Sequence, residues 1–358
     1  MINGIKKYLL TAAAALSFLL AVPLYSFASG LTVHFIDVGQ ADAALIVCDE
    51  HAMLIDGGGT DSSRTMYAYL KKYGISHLDY IIGTHPDADH IGGLPGALNF
   101  ASADKVFCSV TEHDTRAFNS LVKYAGEQGK SISIPKTGST YSLGDASVSI
   151  IGPVNKAADS NNNSIVAKIS YGSNSFLFMG DAENAEENDI ISSKYADMLK
   201  SDVLKVGHHG SDTSSGEAFL EAVSPQYAVI SVGADNSYGH PSEDVVKRLE
   251  KLGTQVYRTD TDGDIICESD GTNISFSTAK YHKSDKNAAV GDNTSNNGSA
   301  GSKESAAQNY ILNISSGKFH YPECKSVKRM NESNKKYFYG TRDEAIKNGY
   351  TPCGNCNP

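Results

Sequence analysis

The chain has 358 residues, 40% of them hydrophobic, and a formal net charge of −10. That is enough apolar residue for one large core or two domains. The acidity excludes nucleic-acid binding by overall charge alone, since phosphate contacts need Lys and Arg; carboxylates gathered at a metal, however, cease to repel anion once the metal is bound.

The N-terminus reads as an export signal over residues 1–28. Lys6 and Lys7 precede the apolar run "YLLTAAAALSFLLAVPL", and "SFA" offers small residues around a cut after Ala28. The rival reading is an uncleaved anchor; the short apolar run and small-x-small site favour cleavage. No later run is long and apolar enough to span a bilayer. The expected product is secreted or wall-associated, with no stable membrane insertion.

From residue 29 to 282 strand and helix patterns alternate. "LTVHFIDVGQADAALIV" and "HAMLIDGGG" read as strands. Met66, Tyr69, Leu70 and Tyr73 have helical spacing within residues 62–73. "LDYIIGT" is a strand that runs into "THPDADHIGG", residues 84–93. A strand at "KVFCSV", a helix at "TRAFNSLVKYAGEQGK" and a strand at "ASVSIIGP" follow. "SIVAKISYGSNSFLFMGD" is a hairpin turning at "GSNS", and residues 182–199 are helical. "DVLKVG" leads into "HHGSDTS"; after a helix come "YAVISVG", helix "SEDVVKRLEKLG", strand "QVYRTD" and hairpin "DIICESDGTNISFS". The expected fold is α/β, a mixed sheet with helical layers. Residues 283–309 are rich in Ser, Asn, Gly and Ala and read as a flexible linker. Residues 310–358 regain aromatic and aliphatic residues, and a module that small needs a metal or a disulfide to hold it.

The chemistry-bearing residues fall at strand ends. His85, Asp87, Asp89 and His90 lie within six positions, Asp181 follows "FMG", and His208 and His209 follow "KVG". The spacing can offer His85 and Asp87 to one metal and Asp89 and His90 to a second. Hydrolytic dimetal sites need a bridging carboxylate and an acidified water. One His-rich loop is weak support; three loops with donors, each after an apolar strand, are strong support. The Gly92-Gly93 pair is expected to let the chain turn tightly beneath the metals. His34, His51, His77 and His113 have no such context. Asp37, Gln40 and Asp42 lack ligand spacing.

These motifs resemble the metallo-β-lactamase superfamily, whose usual loop is HxHxDH. With "FIDVGQADAALI", "LIDGGG", "DHIGG", "NNNSIV" and "YGHPS", residues 31–276 look most like the hydrolase domain of ComEC-type competence DNA-uptake channels. The resemblance implies an αββα sandwich with the site at one edge between the sheets, and a phosphodiesterase or nuclease role. It makes Asp56 an orienting carboxylate, and His85, Asp87, Asp89, His90 and Asp181 ligands to two divalent metals, Zn or Mn, with Asp181 the bridge. His208 matches the last-motif histidine, and His209 is a close rival. His240 in "YGHPS" is a candidate proton donor; the plain alternative is a turn histidine. Two departures stand out. Asp87 replaces a histidine, and "SNNNSIV" stands where a further histidine is common. Both make the first half-site oxygen-rich and shift its preference from Zn toward Mn or Mg.

His320 and Cys324, then Cys353 and Cys356, are spaced H-x3-C and C-x2-C, which suits one structural tetrahedral Zn. A Cys353–Cys356 disulfide is the alternative. The module resembles the zinc-binding domain of Ada-type DNA-repair proteins, where the first ligand is a cysteine; His320 in its place argues against methyl transfer. Lys318, Lys325, Lys328, Arg329, Lys335, Lys336, Arg342 and Lys347 against Glu323, Glu332, Asp343 and Glu344 give 8 − 4 = +4, a local basic patch suited to DNA phosphate.

The favoured expectation is a secreted metal-dependent phosphodiesterase, most simply a nuclease on extracellular DNA or RNA. Alternatives are a hydrolase of a wall phosphodiester of phosphocholine type, or of a lactam or lactone, and a non-catalytic DNA-binding protein.

Overall fold

A computed structural model describes residues 30–279 and 308–356, apart from 314, 322–323, 332–333, 341 and 348–349. The expected signal segment, and all but the last two residues of the expected linker, lie outside the described residues. The chain divides into two compact units with the break between Lys286 and Asn287.

The large unit contains two sheets. The first has eight strands: β1 (Leu31–Phe35), β2 (Ala43–Cys48), β3 (His51–Gly57), β4 (His77–Gly83), β5 (Ser102–Cys108), β6 (Ile132–Ser133), β14 (Ile265–Ser269) and β15 (Ile274–Thr278), in the order β15-β14-β1-β2-β3-β4-β5-β6. The second has seven: β7 (Thr140–Leu143), β8 (Ala146–Gly152), β9 (Val166–Tyr171), β10 (Asn174–Phe178), β11 (Val203–Lys205), β12 (Tyr227–Ile230) and β13 (Gln255–Arg258), in the order β13-β12-β11-β10-β9-β8-β7. The helices are α1 (Ser63–Tyr73), α2 (Ala88–Ile91), α3 (Leu94–Leu98), α4 (Arg116–Glu127), α5 (Asn184–Ile191), α6 (Glu217–Val223), α7 (Glu243–Lys251) and α8 (Thr259–Asp262).

Alternation along the strands makes three apolar layers. In β2, Ala44, Ile46 and Cys48 point between the sheets, whereas Leu45 and Val47 point to the layer containing α1, α3 and α4. In β10, Phe176 and Phe178 enter the middle layer, and Leu177 packs with Phe219, Leu220, Val245 and Leu249 of α6 and α7. Strands buried on both faces read as unbroken apolar runs. Burying Phe176 and Phe178 contributes about 1.5–3 kcal/mol each by transfer alone. The architecture is the expected αββα sandwich.

Several local expectations change. "LTVHFIDVGQADAALIV" is two antiparallel strands, β1 and β2, joined by a loop over 36–42. The helical stretch 182–199 shortens to α5 and a single turn at Ala196–Met198. Gly92 and Gly93 form the turn between α2 and α3. Both are right-handed, at φ −63° and −89°. Their role is close approach: a Cβ on Gly93 would strike the Gly57 carbonyl, and one on Gly92 the Ala88 carbonyl and the Thr60 amide.

The small unit has a four-stranded sheet, β18-β16-β17-β19, from β16 (Gln308–Asn313), β17 (Lys318–His320), β18 (Lys335–Gly340) and β19 (Thr351–Pro352), with α9 (Arg342–Lys347). Its first described strand begins at Gln308. Among the described residues, Tyr310, Leu312, Phe319 and Ala345 form one buried cluster, and Ile311 and Val327 with Cys324 and Cys353 form another.

Candidate metal centre

Four strands of the large unit end at one edge, and the loops leaving them carry the donors. Asp56 lies near the end of β3, the Thr84–His90 segment follows β4, Asp181 follows β10, and His208 and His209 follow β11. Asp56, His208 and His209 adopt left-handed backbone, at φ 59°, 48° and 52°. Such backbone costs non-glycine residues of order 1–3 kcal/mol, and it concentrates at functional sites where surrounding structure holds it.

Ligand atoms of Asp89, His90, Asp181 and His209 all lie within 4.8 Å of one another. Each imidazole is aimed by its other nitrogen. His90 Nδ1 sits 2.9 Å from Asp56 Oδ2, while Nε2 faces Asp181 Oδ1 at 3.2 Å. His209 Nδ1 sits 3.0 Å from the Ser231 carbonyl and 3.1 Å from Asp42 Oδ1, while Nε2 faces Asp89 at 3.4 Å and Asp181 at 3.8 Å. Asp56 is itself fixed by the Thr84 amide at 2.7 Å and hydroxyl at 2.9 Å. This is the arrangement that fixes a tautomer and leaves Nε2 free as a ligand.

The converging atoms face one another without hydrogen bonds. His85 Nε2, His90 Nε2, His209 Nε2 and Asp181 Oδ1 are buried without a hydrogen bond, which buried polar atoms rarely are. Burial by itself would disfavour the charged imidazoles. The Asp181 and Asp56 carboxylates nevertheless hold His90 well above the usual range, and Asp181 and Asp42 push His209 up to about 10. The pocket is thus anionic and selects positive charge. The donor set fits a divalent cation.

The first half-site is sparser. His85 Nε2 is 3.5 Å from Asp87 Oδ2 and 3.9 Å from Asp181 Oδ2. In the segment replacing the usual histidine, the Ser164 hydroxyl lies 3.3 Å from His85 Nδ1 and accepts from the Asp181 amide at 3.1 Å, so it backs the ring on the side away from Nε2. Ser160 donates to Asp87 at 3.2 Å. His208 stands aside from the four-donor group. Its Nδ1 meets Glu183 Oε1 at 3.0 Å, and its Nε2 is 3.7 Å from Asp181. The His240 ring is 5.6 Å from that of His208, and its Nδ1 is buried without a partner.

Asp42 and Lys205 were not legible as site residues. Lys205 Nζ, on β11, reaches Asp42 Oδ2 at 2.7 Å, and both side chains are buried. Burial would raise the Asp42 carboxyl, but Lys205 and His209 hold it well below the ordinary value. The available signal was a lysine in the otherwise apolar "DVLKVG", where a charge demands a buried partner. Asp37 instead makes a turn, accepting from the Gly39 amide at 3.3 Å. His34, His51, His77 and His113 lie elsewhere, bonded to Tyr69, Asp79, Ser102 and Thr115.

In the small unit, ligand atoms of His320, Cys324, Cys353 and Cys356 also lie within 4.8 Å of one another. All six cysteines are free thiols, so no Cys353–Cys356 disulfide forms. Both ring nitrogens of His320 are buried without a partner, and the Asn355 amide points at Cys353 Sγ at 3.4 Å. Three sulfurs and one nitrogen fit a zinc module.

Residues 36–234 match the Metallo-beta-lactamase superfamily. ComE operon protein 3 of Bacillus subtilis (strain 168) is 31% identical over 252 residues, 65% of this chain and 32% of that protein. Competence protein ComA of Neisseria gonorrhoeae is 31% identical over 229 residues, 63% of this chain and 30% of that protein. The aligned stretch is thus under a third of each relative's own length. The metallo-beta-lactamase fold protein YhfI from Bacillus subtilis aligns with a TM-score of 0.45 at 12% identity, over 67% of this chain and 100% of that one. With more than half of its residues matched, the chain belongs to the metallo-β-lactamase superfamily.

Proposed function

We propose that the chain is an exported, metal-dependent phosphodiesterase whose substrate is nucleic acid, DNA in the first place. The observation that carries this is the convergence of Asp89, His90, Asp181 and His209, with both imidazoles aimed from behind. These four would hold one divalent ion; His85 and Asp87, with Asp181 as bridge, would hold a second. Bound there, the ions would supply Lewis acidity at a phosphoryl group and acidify water. The oxygen-rich first half-site suits Mn better than Zn.

The chain's own groups do the rest. Asp56 and Asp42 keep the His90 and His209 rings in place. His240, whose ring lies beside those of His208 and His209, is the candidate to pass a proton to the leaving oxygen. Relatives named for competence support DNA as substrate. So does the basic small unit, which would hold nucleic acid while its zinc holds the fold.

Purified protein given DNA with Mn or Zn should cleave it. Asp89→Ala should lower the rate by more than about a hundredfold, beyond the usual cost of losing an outer partner of a ligand. Absence of metal-dependent cleavage of DNA and RNA would sink the reading. Turnover of a chromogenic phosphodiester or a β-lactam alone would move the substrate to a wall ester or a lactam. DNA binding that survives Asp89→Ala without any turnover would indicate a binding protein.

A further inference from the structure

The loop between β12 and α7 carries Tyr238, 72% exposed and the most exposed large hydrophobic side chain among the described residues. A single exposed aromatic ordinarily needs no explanation. Here three features set it apart.

Its ring is aligned with the metal centre. The Tyr238 and His240 planes are 24° apart with centroids at 5.7 Å, and the His240 and His209 planes are again 24° apart at 6.5 Å. Three rings therefore step from solvent to an inner donor. Second, the backbone that carries the ring is fixed by Asn236. Asn236 Oδ1 accepts from the Tyr238 amide at 3.2 Å and the His240 amide at 3.0 Å. Its Nδ2 donates to the Gly233 and His240 carbonyls at 2.8 and 2.7 Å. The Gly233 amide in turn donates to Gln40 Oε1 at 3.0 Å, tying this loop to the one that carries Asp42. Third, the ring of the file between Tyr238 and the metal donors has its Nδ1 buried and unpartnered.

A preorganised aromatic face beside a phosphodiester site fits a planar group attached to that diester. In nucleic acid that group is the base. A base within a duplex is already stacked on both faces, whereas a single strand presents its bases free.

We propose that Tyr238 is a stacking platform for a nucleobase flanking the scissile phosphate, and that it makes the domain select single-stranded over duplex nucleic acid. This rests on the nucleic-acid phosphodiesterase reading above. Stacking is sequence-tolerant because every base has a π-face, so no base preference is expected.

The test is binding of fluorescein-labelled oligothymidylate to the full mature chain, by anisotropy, beside an abasic oligomer of equal length and a duplex. Tyr238→Ala should weaken oligothymidylate binding about tenfold, within the range found for one lost base stack. Tyr238→Phe should retain wild-type affinity, and abasic binding should change less than about twofold, since its phosphate contacts are untouched. The single-strand preference of the wild type should shrink in Tyr238→Ala. Equal loss on abasic and base-bearing oligomers, no loss in Tyr238→Ala, or no oligonucleotide binding by the wild type would each overturn the proposal. Binding with these differences but without cleavage would instead defeat only the phosphodiesterase reading.

Discussion

His209 shows how much of a candidate metal ligand is set by the residues around it. Its ring is set by the Ser231 carbonyl and Asp42, and Asp42 is held anionic by Lys205 inside the protein. Lys205→Met keeps the bulk of the side chain and removes the cation. Asp42 is then a buried carboxylate with only His209 to balance it, and its hold on the ring changes. We expect metal affinity at the four-donor group to fall about ten- to a hundredfold, read by titration against a competing indicator; unchanged affinity would mean that Ser231 alone aims the ring. At this scale the sequence marked candidate donors that the structure brings together. "THPDADH" has ligand spacing in itself, and "GHHGS" narrows the last donor to two neighbours. Choosing between them needed three dimensions, because adjacent left-handed residues send their side chains in different directions: His209 inward to Asp89, His208 to Glu183. The link from Lys205 to Asp42 was hidden because it joins a strand of the second sheet to the loop between β1 and β2 of the first.

Among the elements, those with strong local pattern were the legible ones. The hairpins β9–β10 and β14–β15 and the helices α1, α4 and α7 show clear periodicity, and turn or cap residues fix their ends. Gly74 closes α1 at φ 71°, and Thr115 caps α4 by accepting from the Phe118 amide. The short pieces α2, α3, α8 and β6 lack enough residues to show a period. The glycines from Gly92 to Gly96 answer to neighbours distant in sequence rather than to their own backbone angles. Gly93→Ala should therefore cost about 3 kcal/mol or more, as backbone must move to admit the Cβ. Gly126→Ala is the contrast. That helical position has nothing within 4 Å of an added Cβ, and the change should stabilise by about 0.5–1 kcal/mol. Thermal melts of both variants check the pair, and equal effects would contradict the steric account.

For the whole molecule, two units with different means of stability share one chain. The large unit has three apolar layers; the described residues of the small one form two small buried clusters and a four-donor cluster. Removing metal should leave the first folded and unfold the second. Hydrogen exchange after chelation should accelerate at the amides of Val327 and Cys353, which bond Cys324 and Phe319 in the native unit, while those of Ile46 and Phe176 stay slow. Protection at Val327 and Cys353 that survives chelation would show that the small core suffices. Composition made this division readable, since the Ser- and Asn-rich stretch separates two regions of different chemistry.

The antiparallel pairing of β1 with β14, Leu31 opposite Ser269, bears on how such a chain matures. All the donors of the metal centre precede β14. A polypeptide emerging N-terminus first thus possesses every ligand before one edge of β1 has its neighbour. Until Ile265–Ser269 arrives, Leu31, Val33 and Phe35 lie beside an open row of amides and carbonyls, the kind of edge on which chains associate. Pairing of β1 with β14 thus comes later in the large unit than the arrival of its candidate donors, and a chaperone would have most to shield there.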